Sequence, residues 1–188
     1  MWIERYEPRW HTNVIELANT VFGEGYFSEP GLHARQPDSI MVVAHDDDTA
    51  LCGFAHGRIL AKDSLGDYLG PEVTDIPEAV RAADAAGNLG VIDVVAVSPE
   101  RRRQGIGLAL LRAMHDALIG AGADKLLVTF KRGPMAVRVD GIMHTLGFDL
   151  WRKLPSYWRD KCNRGEFKCA DRTDHCVCEA MLFRKSIY

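Results

Sequence analysis

A short basic turn with two glycines is the segment of this sequence best equipped for chemistry. Three arginines at 101–103 lead into Gln-Gly-Ile-Gly at 104–107, where an apolar helical pattern begins. The N–H groups of a first helical turn have no intrahelical partner, and the helix dipole favours negative charge there. Glycine lets the backbone approach phosphate oxygens, and arginine adds positive charge. The turn therefore predicts a pyrophosphate ligand.

Two other phosphate-binding patterns fit this turn less well. The dinucleotide pattern G-x-G-x-x-G needs a third glycine, and Leu110 occupies that position, so only a loose form matches. The P-loop needs Lys-Ser/Thr after its last glycine, and neither follows Gly107.

The turn resembles the acetyl-CoA motif of the GNAT superfamily of N-acetyltransferases. That motif reads Arg/Gln-x-x-Gly-x-Gly/Ala, and residues 102–107 read Arg-Arg-Gln-Gly-Ile-Gly after a β-branched strand ending in Val-Ser-Pro at 97–99. The resemblance implies acetyl-CoA as co-substrate, with its pantetheine arm paired to strand 91–97 and its pyrophosphate on the amides of the turn. The residues it places against acetyl-CoA are Val95, Val97, Arg102, Arg103, Gln104, Gly105, Ile106 and Gly107.

The predicted elements alternate in the order that the GNAT fold displays, a mixed α/β sheet with helices on both faces. Strands are expected at 1–6, 40–44, 50–61, 91–97, 125–131, 148–154 and 177–184, helices at 11–22, 77–86, 105–119 and 135–146, and a loop with a short helix at 27–37. The near-continuous apolar run of 91–97 is typical of a strand buried on both faces.

Asp93 interrupts that apolar strand. The period-two rule places it on one face with Val91, Val95 and Val97, where a carboxylate needs a partner or a raised pKa. Two interpretations stay open. Asp93 is either the general base that deprotonates an amine acceptor, on a strand where some GNAT members carry His or Glu, or a structural aspartate bound to neighbouring backbone.

The general acid is unassigned. Many GNAT members carry a tyrosine four residues before a Gly-Phe pair, and it protonates the departing thiolate. Gly147-Phe148 marks that place here, and the fourth residue back is Met143, which cannot donate a proton. His144 is expected on the helix surface. Tyr157, Tyr188 or solvent are the candidates that remain.

Cysteines cluster near the C-terminus. Cys162, Cys169, Cys176 and Cys178, with His175 as an alternate, fall within 17 residues and favour a structural zinc site. A Cys-x2-4-Cys pair is missing, so reduced thiols and disulfides stay open as alternatives. Cys52, by contrast, is expected to be a core residue of its strand.

Composition describes a globular protein. The 188 residues are 47% hydrophobic and 26% charged, with a net charge of −3. We expect a GNAT-like domain at 1–154 and a Cys-rich extension at 155–188 that packs on it and includes the last strand. An apolar signal-peptide core is missing from the first residues, so we expect a cytoplasmic protein without a membrane partner.

Partners are only broadly indicated. Residues 152–188 carry nine Lys/Arg against five Asp/Glu, a modest excess that makes a nucleic-acid partner unexpected, and we expect Trp151, Tyr157 and Trp158 to pack on the core. The acidic segment 62–88 would suit a cationic acceptor, although a solvated loop is the favoured interpretation. The oligomeric state is open, with a dimer as one option.

These observations favour an enzyme that transfers an acetyl group from acetyl-CoA directly to a primary amine, of a small molecule or a peptide. The alternative is a non-catalytic module that binds acyl-CoA, or interacts through a zinc-bound tail, with nucleic acid as one conceivable contact.

Overall fold

The apolar runs of the sequence form a seven-stranded sheet in the computed structural model, which describes residues 1–25, 39–46, 50–71, 73–132, 139–165 and 178–187. The strands are β1 (Trp2–Arg5), β2 (Ser39–His45), β3 (Leu51–Ile59), β4 (Leu89–Val97), β5 (Lys125–Arg132), β6 (Asp149–Leu154) and β7 (Glu179–Ser186). The α-helices are α1 (His11–Phe22), α2 (Leu65–Leu69), α3 (Glu78–Ala86), α4 (Ile106–Gly120), α5 (Asp140–Thr145) and α6 (Arg159–Asn163). The mixed α/β fold class predicted from the sequence is confirmed.

The strands lie in the order β1-β2-β3-β4-β5-β7-β6. Neighbours are antiparallel except β4 and β5, which are parallel and are joined through α4. The last strand, β7, lies between β5 and β6, so the C-terminal residues complete the sheet. The predicted division of the chain after residue 154 stays a prediction.

Helices cover both faces of the sheet. On one face, α4 turns Ile106, Leu110, Met114 and Leu118 towards the strands, at the four-residue spacing of a helical stripe. Apolar residues of α1 pack on the opposite face over one half of the sheet, and those of α2 and α3 over the other half. Of the helices formed by the described residues, none is long and apolar enough to cross a membrane.

A β-bulge interrupts β4. His56 of β3 pairs with Val94, and the next residue, Gly57, pairs with Ile92, so that Asp93 has no partner in the β3 register. An unpaired residue in one strand bends that strand and reverses the alternation of its side chains. Asp93 is therefore the bulge residue.

The bulge changes which residues share a face. Val91 packs into the core beneath α2 and α3, whereas Val95 and Val97 pack against the core beneath α4. The prediction that Val91, Asp93, Val95 and Val97 lie on one face is therefore wrong. The period-two rule holds only for regular pairing, and the sequence pattern carries no sign of the extra residue.

The chain from β3 to β4 is more ordered than its turn-rich composition indicated. A helix was expected at 77–86 and is present as α3, but the additional helix α2 was not expected. The short helix α6 was not expected either. The predicted helix 135–146 is represented by α5, since residues 133–138 lie outside the described residues, as does the predicted segment 27–37.

Candidate active site

The glycine turn, residues 98–107, connects β4 to α4. Arg103 and Gly105 both have positive φ, of 63° and 79°, and Gly105 is the N-cap residue of α4. Such backbone makes concave nests of N–H groups that bind anions. A Cβ built at Gly105 meets no atom within 4 Å, so the backbone there is open to a ligand.

The three arginines of the turn have different roles. Arg101 forms an ion pair with Asp46 at the end of β2, which ties the turn to the sheet. Within the described ranges of the chain, Arg102 and Arg103 form no salt bridge, and Arg103 is exposed. Their guanidinium groups are therefore available to phosphate.

β4 and β5 separate beside the turn. Their parallel pairing ends at Ile92 and Val128, although β4 continues to Val97 and β5 continues to Arg132. Beyond the last pair, β4 stays bonded to β3 and β5 to β7, so each strand follows its other neighbour. We call the resulting gap between residues 93–97 and 129–132 the fork. Val95 lies on its β4 side.

A group of polar side chains surrounds the base of the fork. Asp93 is 19% exposed, and its Oδ2 lies 3.2 Å from His56 Nδ1 and 3.3 Å from Arg58 Nε. The Arg58 guanidinium also lies over the ring of Tyr68, 5.6 Å from its centroid. With Thr129 of β5, these residues form what we call the fork-base cluster.

Tyr68 reaches the cluster from α2. Burial raises the pKa of its phenol well above the ordinary value of 10.0, and the negative charge of Asp93 raises it further. Tyr68 is therefore held as a neutral phenol near the negative charge of Asp93.

The structure gives Asp93 side-chain partners, and neither of the two interpretations from the sequence included them. A structural aspartate bound to neighbouring backbone was one alternative, but His56 and Arg58 on β3 are the groups that hold it. Its role as a base stays a prediction.

The structure describes one of the two tyrosines that were candidates for the general acid. Met143 is fully buried in the core, and His144 is exposed, as expected. The Tyr157 hydroxyl donates to the carbonyl of Leu69 at 3.0 Å, which engages it in holding α2. Tyr188 lies outside the described residues.

Two of the predicted zinc ligands are described, and both Cys162 and Cys178 are buried. Cys169, His175 and Cys176 lie outside the described residues. Among the residues that the structure does describe, no group of three or more His, Cys, Asp or Glu could hold a metal ion. The four-cysteine site therefore stays a prediction.

Three smaller expectations concern packing and charge. Cys52 is buried, and Trp151, Tyr157 and Trp158 pack against the core beside α2, as expected. The acidic residues Asp63, Asp67, Asp75 and Glu78 are exposed, and Asp75 pairs with Arg152, so a cationic acceptor beside them stays a prediction.

Sequence reasoning missed four members of the fork-base cluster: His56, Arg58, Tyr68 and Thr129. A signal existed for the first two, because they alternate with apolar residues along β3 and so occupy one face. Tyr68 and Thr129 had no comparable signal, since only the packing of α2 and the separation of β5 bring them to Asp93.

The protein combines, within one mixed sheet, a parallel strand pair that separates beside a glycine-capped helix. Its match to an acetyltransferase family model defines it as an acyltransferase. The Acetyltransferase (GNAT) family model matches residues 4–139, and the chain belongs to that family. A comparison with curated proteins found no similar sequence.

Solved structures of N-acetyltransferases share the fold across the whole chain. The ribosomal-protein-S18-alanine N-acetyltransferase of Escherichia coli superposes with a TM-score of 0.65 at 15% identity, covering 99% of this chain and 93% of that one. Naa20 of Chaetomium thermophilum, solved with a bisubstrate analogue, gives 0.63 at 19% identity over 100% and 87%. The aminoglycoside 6'-N-acetyltransferase of Enterococcus faecium gives 0.63 at 13% identity over 99% and 97%.

Proposed function

We propose that this protein transfers an acetyl group from acetyl-CoA directly to a primary amine. The observation that carries the proposal is the separation of β4 from β5 immediately beside the glycine turn. The turn offers an anion site, and the fork offers unpaired strand backbone that leads away from it.

The pyrophosphate would bind at the turn. Backbone N–H groups of residues 103–107 would donate to its oxygens, and Arg102 and Arg103 would neutralise its charge. The open space at Gly105 fits this use, since a phosphate needs close approach to the backbone there. Ile106 is buried under the turn and anchors the start of α4.

The pantetheine arm would occupy the fork. Its amide groups can pair with the backbone of Val95 and Val97 as an added strand would. From Val97 to Asp93 the strand rises about 13 Å, at roughly 3.3 Å per residue. An arm that starts at the turn would therefore bring its thioester towards the fork-base cluster.

The transfer needs positioning and a proton acceptor more than a covalent nucleophile. The amine nitrogen attacks the thioester carbonyl carbon, a tetrahedral intermediate forms, and the carbon–sulfur bond breaks to release CoA thiolate. Asp93, at the base of the fork, would accept the proton that the amine loses, directly or through water. Met143 provides no donor, so Tyr157, Tyr188 and solvent stay the candidates that would protonate the thiolate.

A calorimetric titration with acetyl-CoA tests the co-substrate, with NADH as a control dinucleotide that also carries a pyrophosphate. Saturable binding of acetyl-CoA alone is the expected result. Equal binding of both would indicate that the turn binds pyrophosphate without selecting CoA. No binding of either would contradict the proposal.

Substitution of Asp93 tests the base. We expect Asp93→Asn to lower the rate of amine acetylation about 100-fold or more, in line with the usual contribution of general base catalysis. The loss should be greatest at low pH, where more of the amine is protonated. The measurement is CoA release over a panel of primary amines, and Asp149→Asn, an exposed carboxylate on β6, is the control. Unchanged rates in Asp93→Asn would leave that residue a structural role only.

One observation favours a second candidate function, a module that binds acyl-CoA without catalysis. Met143 is buried where many family members have their tyrosine acid. Tight binding of acetyl-CoA, with no CoA release over the amine panel in either the native protein or Asp93→Asn, is the result expected of such a module.

We also propose a structural zinc site at the C-terminal cysteines. The burial of Cys162 and Cys178 supports a packed arrangement of these thiols. Metal analysis of protein purified without chelator should find one equivalent of zinc if Cys169 and Cys176 complete the set. Its absence would contradict the site.

A further inference from the structure

A polar strip crosses the face of the sheet opposite α4. Along β3, Phe54 packs beneath α1, and Leu60, directly after the strand, packs beneath α2 and α3. His56 and Arg58 lie between them on the same face, because side chains alternate along a strand. The fork-base cluster therefore lies where one apolar cluster of this face ends and the other begins.

This position gives the two substrates separate routes to the base of the fork. The glycine turn begins α4, which covers the other face of the sheet. A pantetheine arm that starts at the turn would reach Asp93 along the backbone of β4. An amine that approaches Asp93 from the face opposite α4 lies beside His56 and Arg58, since both side chains contact the Asp93 carboxylate there.

Arg58 is the more exposed member of an ion pair. Its side chain is 34% exposed, compared with 19% for Asp93, and its Nε lies 3.3 Å from Asp93 Oδ2. Within the described part of the chain, the Arg58 side chain forms no other ion pair or hydrogen bond. A guanidinium has five N–H donors, and a bidentate carboxylate accepts from two of them. Arg58 therefore retains donors for a second anion.

The surroundings fix the orientation of those donors. The Arg58 guanidinium lies over the ring of Tyr68, so one face of its plane is covered while the ion pair holds Nε. Helix α2, which carries Tyr68, is bound by the Asp84 carboxylate at its first residue and by the Tyr157 hydroxyl at its last. An arginine held in this way loses little side-chain entropy when it binds a carboxylate.

The ion pair also determines which amines are attracted. An amine that hydrogen-bonds to Asp93 Oδ2 at about 2.9 Å lies within roughly 6 Å of Arg58 Nε. At that distance two charges interact several times more strongly in a half-buried site than in water. Additional positive charge on the acceptor is therefore repelled, whereas a carboxylate on the carbon next to the amine is attracted to the guanidinium.

We propose that Arg58 binds the carboxylate of an amino acid acceptor and thereby determines the substrate class of the acetyl transfer. The proposal rests on the proposed function, because only a thioester in the fork makes an amine at Asp93 an acceptor. The carboxylate takes no part in the bond changes. The amine nitrogen bonds to the thioester carbon, the amine proton passes to Asp93, and CoA leaves as the thiolate.

The experiment follows CoA release from acetyl-CoA by the full chain with matched acceptors. Each of a set of free amino acids is compared with its amide, which keeps the amine and the side chain but lacks the carboxylate, and spermidine represents the cationic acceptors. Rates are referred to the concentration of unprotonated amine. We expect kcat/KM for the acids to exceed that for the amides and for spermidine at least about 10-fold, the effect of one hydrogen bond between charged groups.

Substitution of Arg58 tests the residue itself. In Arg58→Gln the ratio of acid to amide should fall to near one, mainly through a higher KM for the acids. Any effect of the substitution on Asp93 alters acids and amides alike and cancels in this ratio. Arg58→Lys keeps the charge and should retain part of the preference. Arg152→Gln is the matched control, because Arg152 on β6 is 31% exposed and also pairs with an aspartate, Asp75.

The outcomes separate this proposal from the function on which it rests. Equal or faster acetylation of the amides or of spermidine by the native protein would overturn the amino acid class and leave acetyl transfer intact. A preference for the acids that persists in Arg58→Gln would overturn the role of Arg58. If acetyl-CoA binds but no acceptor reacts, the amino acid class is overturned while the acetyl-CoA site stands. If acetyl-CoA does not bind, the proposed function fails, and this proposal fails with it.

Discussion

The glycine turn and the fork-base cluster lie at opposite ends of the fork and are built in opposite ways. Every group that the turn would offer to phosphate comes from residues 102–107, and its geometry depends on positive φ at Arg103 and Gly105. The cluster draws its side chains from β3, β4, β5 and α2, and no two of its members are adjacent in sequence.

The difference indicates which substitutions each region tolerates. A site made of backbone N–H groups is insensitive to distant packing but fails when its local conformation is changed. A site made of side chains from several elements depends on the contacts that hold those elements together. Substitutions should therefore separate co-substrate binding from the geometry of the acceptor side.

The largest expected effect is the loss of acetyl-CoA binding in Gly105→Val. A β-branched residue at a φ of 79° is strained, and its side chain would fill the space that the phosphate needs. We expect affinity to fall at least about 100-fold, as two or more charge-assisted hydrogen bonds are lost. Calorimetric titration measures this change in acetyl-CoA affinity.

The chain provides a matched control at the other end of the same helix. Gly122 has a φ of 100°, and a Cβ there also meets no atom within 4 Å. Gly122→Val should therefore carry similar backbone strain and a similar loss of stability, of about 1–3 kcal/mol, but bind acetyl-CoA normally. Equal loss of binding in both variants would mean that strain, and not the turn, is responsible.

A smaller effect, on the opposite region, is expected from Asp84→Ala. The Leu65 N–H is left buried without its acceptor, which should lower the free energy of unfolding by about 1–3 kcal/mol. Urea unfolding measures this loss, and Asp67→Ala, an exposed carboxylate on α2, is the control. Acetyl-CoA affinity should stay within about twofold of the native value, since α2 packs on the face of the sheet opposite α4, the helix that the turn begins. A large loss of affinity would show that the two regions are not independent.

What the sequence could and could not predict follows the same division. The position of the turn between a strand and a helix was predicted because its glycines, arginines and flanking periodicities are local, although its ligand stays a prediction. The mixed sheet was predicted because its apolar runs are long. The bulge at Asp93 was not predicted, since pairing with β3 creates it and the residues 91–97 read as an uninterrupted strand.

The members of the cluster required information that no single segment contains. His56 and Arg58 are polar positions on a strand, which could face solvent or a site. Tyr68 follows Asp67 in a turn-rich segment, and only its neighbours Leu65 and Leu69, both buried, show that the segment is a helix packed on the sheet. Tertiary contacts select the conformation here, and local propensity does not.

The smallest expected effect is on stability in alkali, and it also distinguishes the two regions. Because the folded-state pKa of Tyr68 is raised well above 10.0, the unfolded chain loses this proton first as the pH rises. Above about pH 10 the unfolded state therefore binds fewer protons, and the free energy of unfolding falls by at most about 1.4 kcal/mol per pH unit for this group.

This contribution is complete below pH 10 and is lost as the pH approaches the folded-state value. Tyr68→Phe removes the ionisable proton, so its stability should decline less steeply than that of the native protein in urea unfolding between pH 9 and 11. The arginines of the turn stay charged over that range, so Gly105→Val should keep the native slope. Parallel curves for the native protein and Tyr68→Phe would show that the phenol is not held neutral, and the contrast between a titratable acceptor side and a pH-insensitive turn would then be wrong.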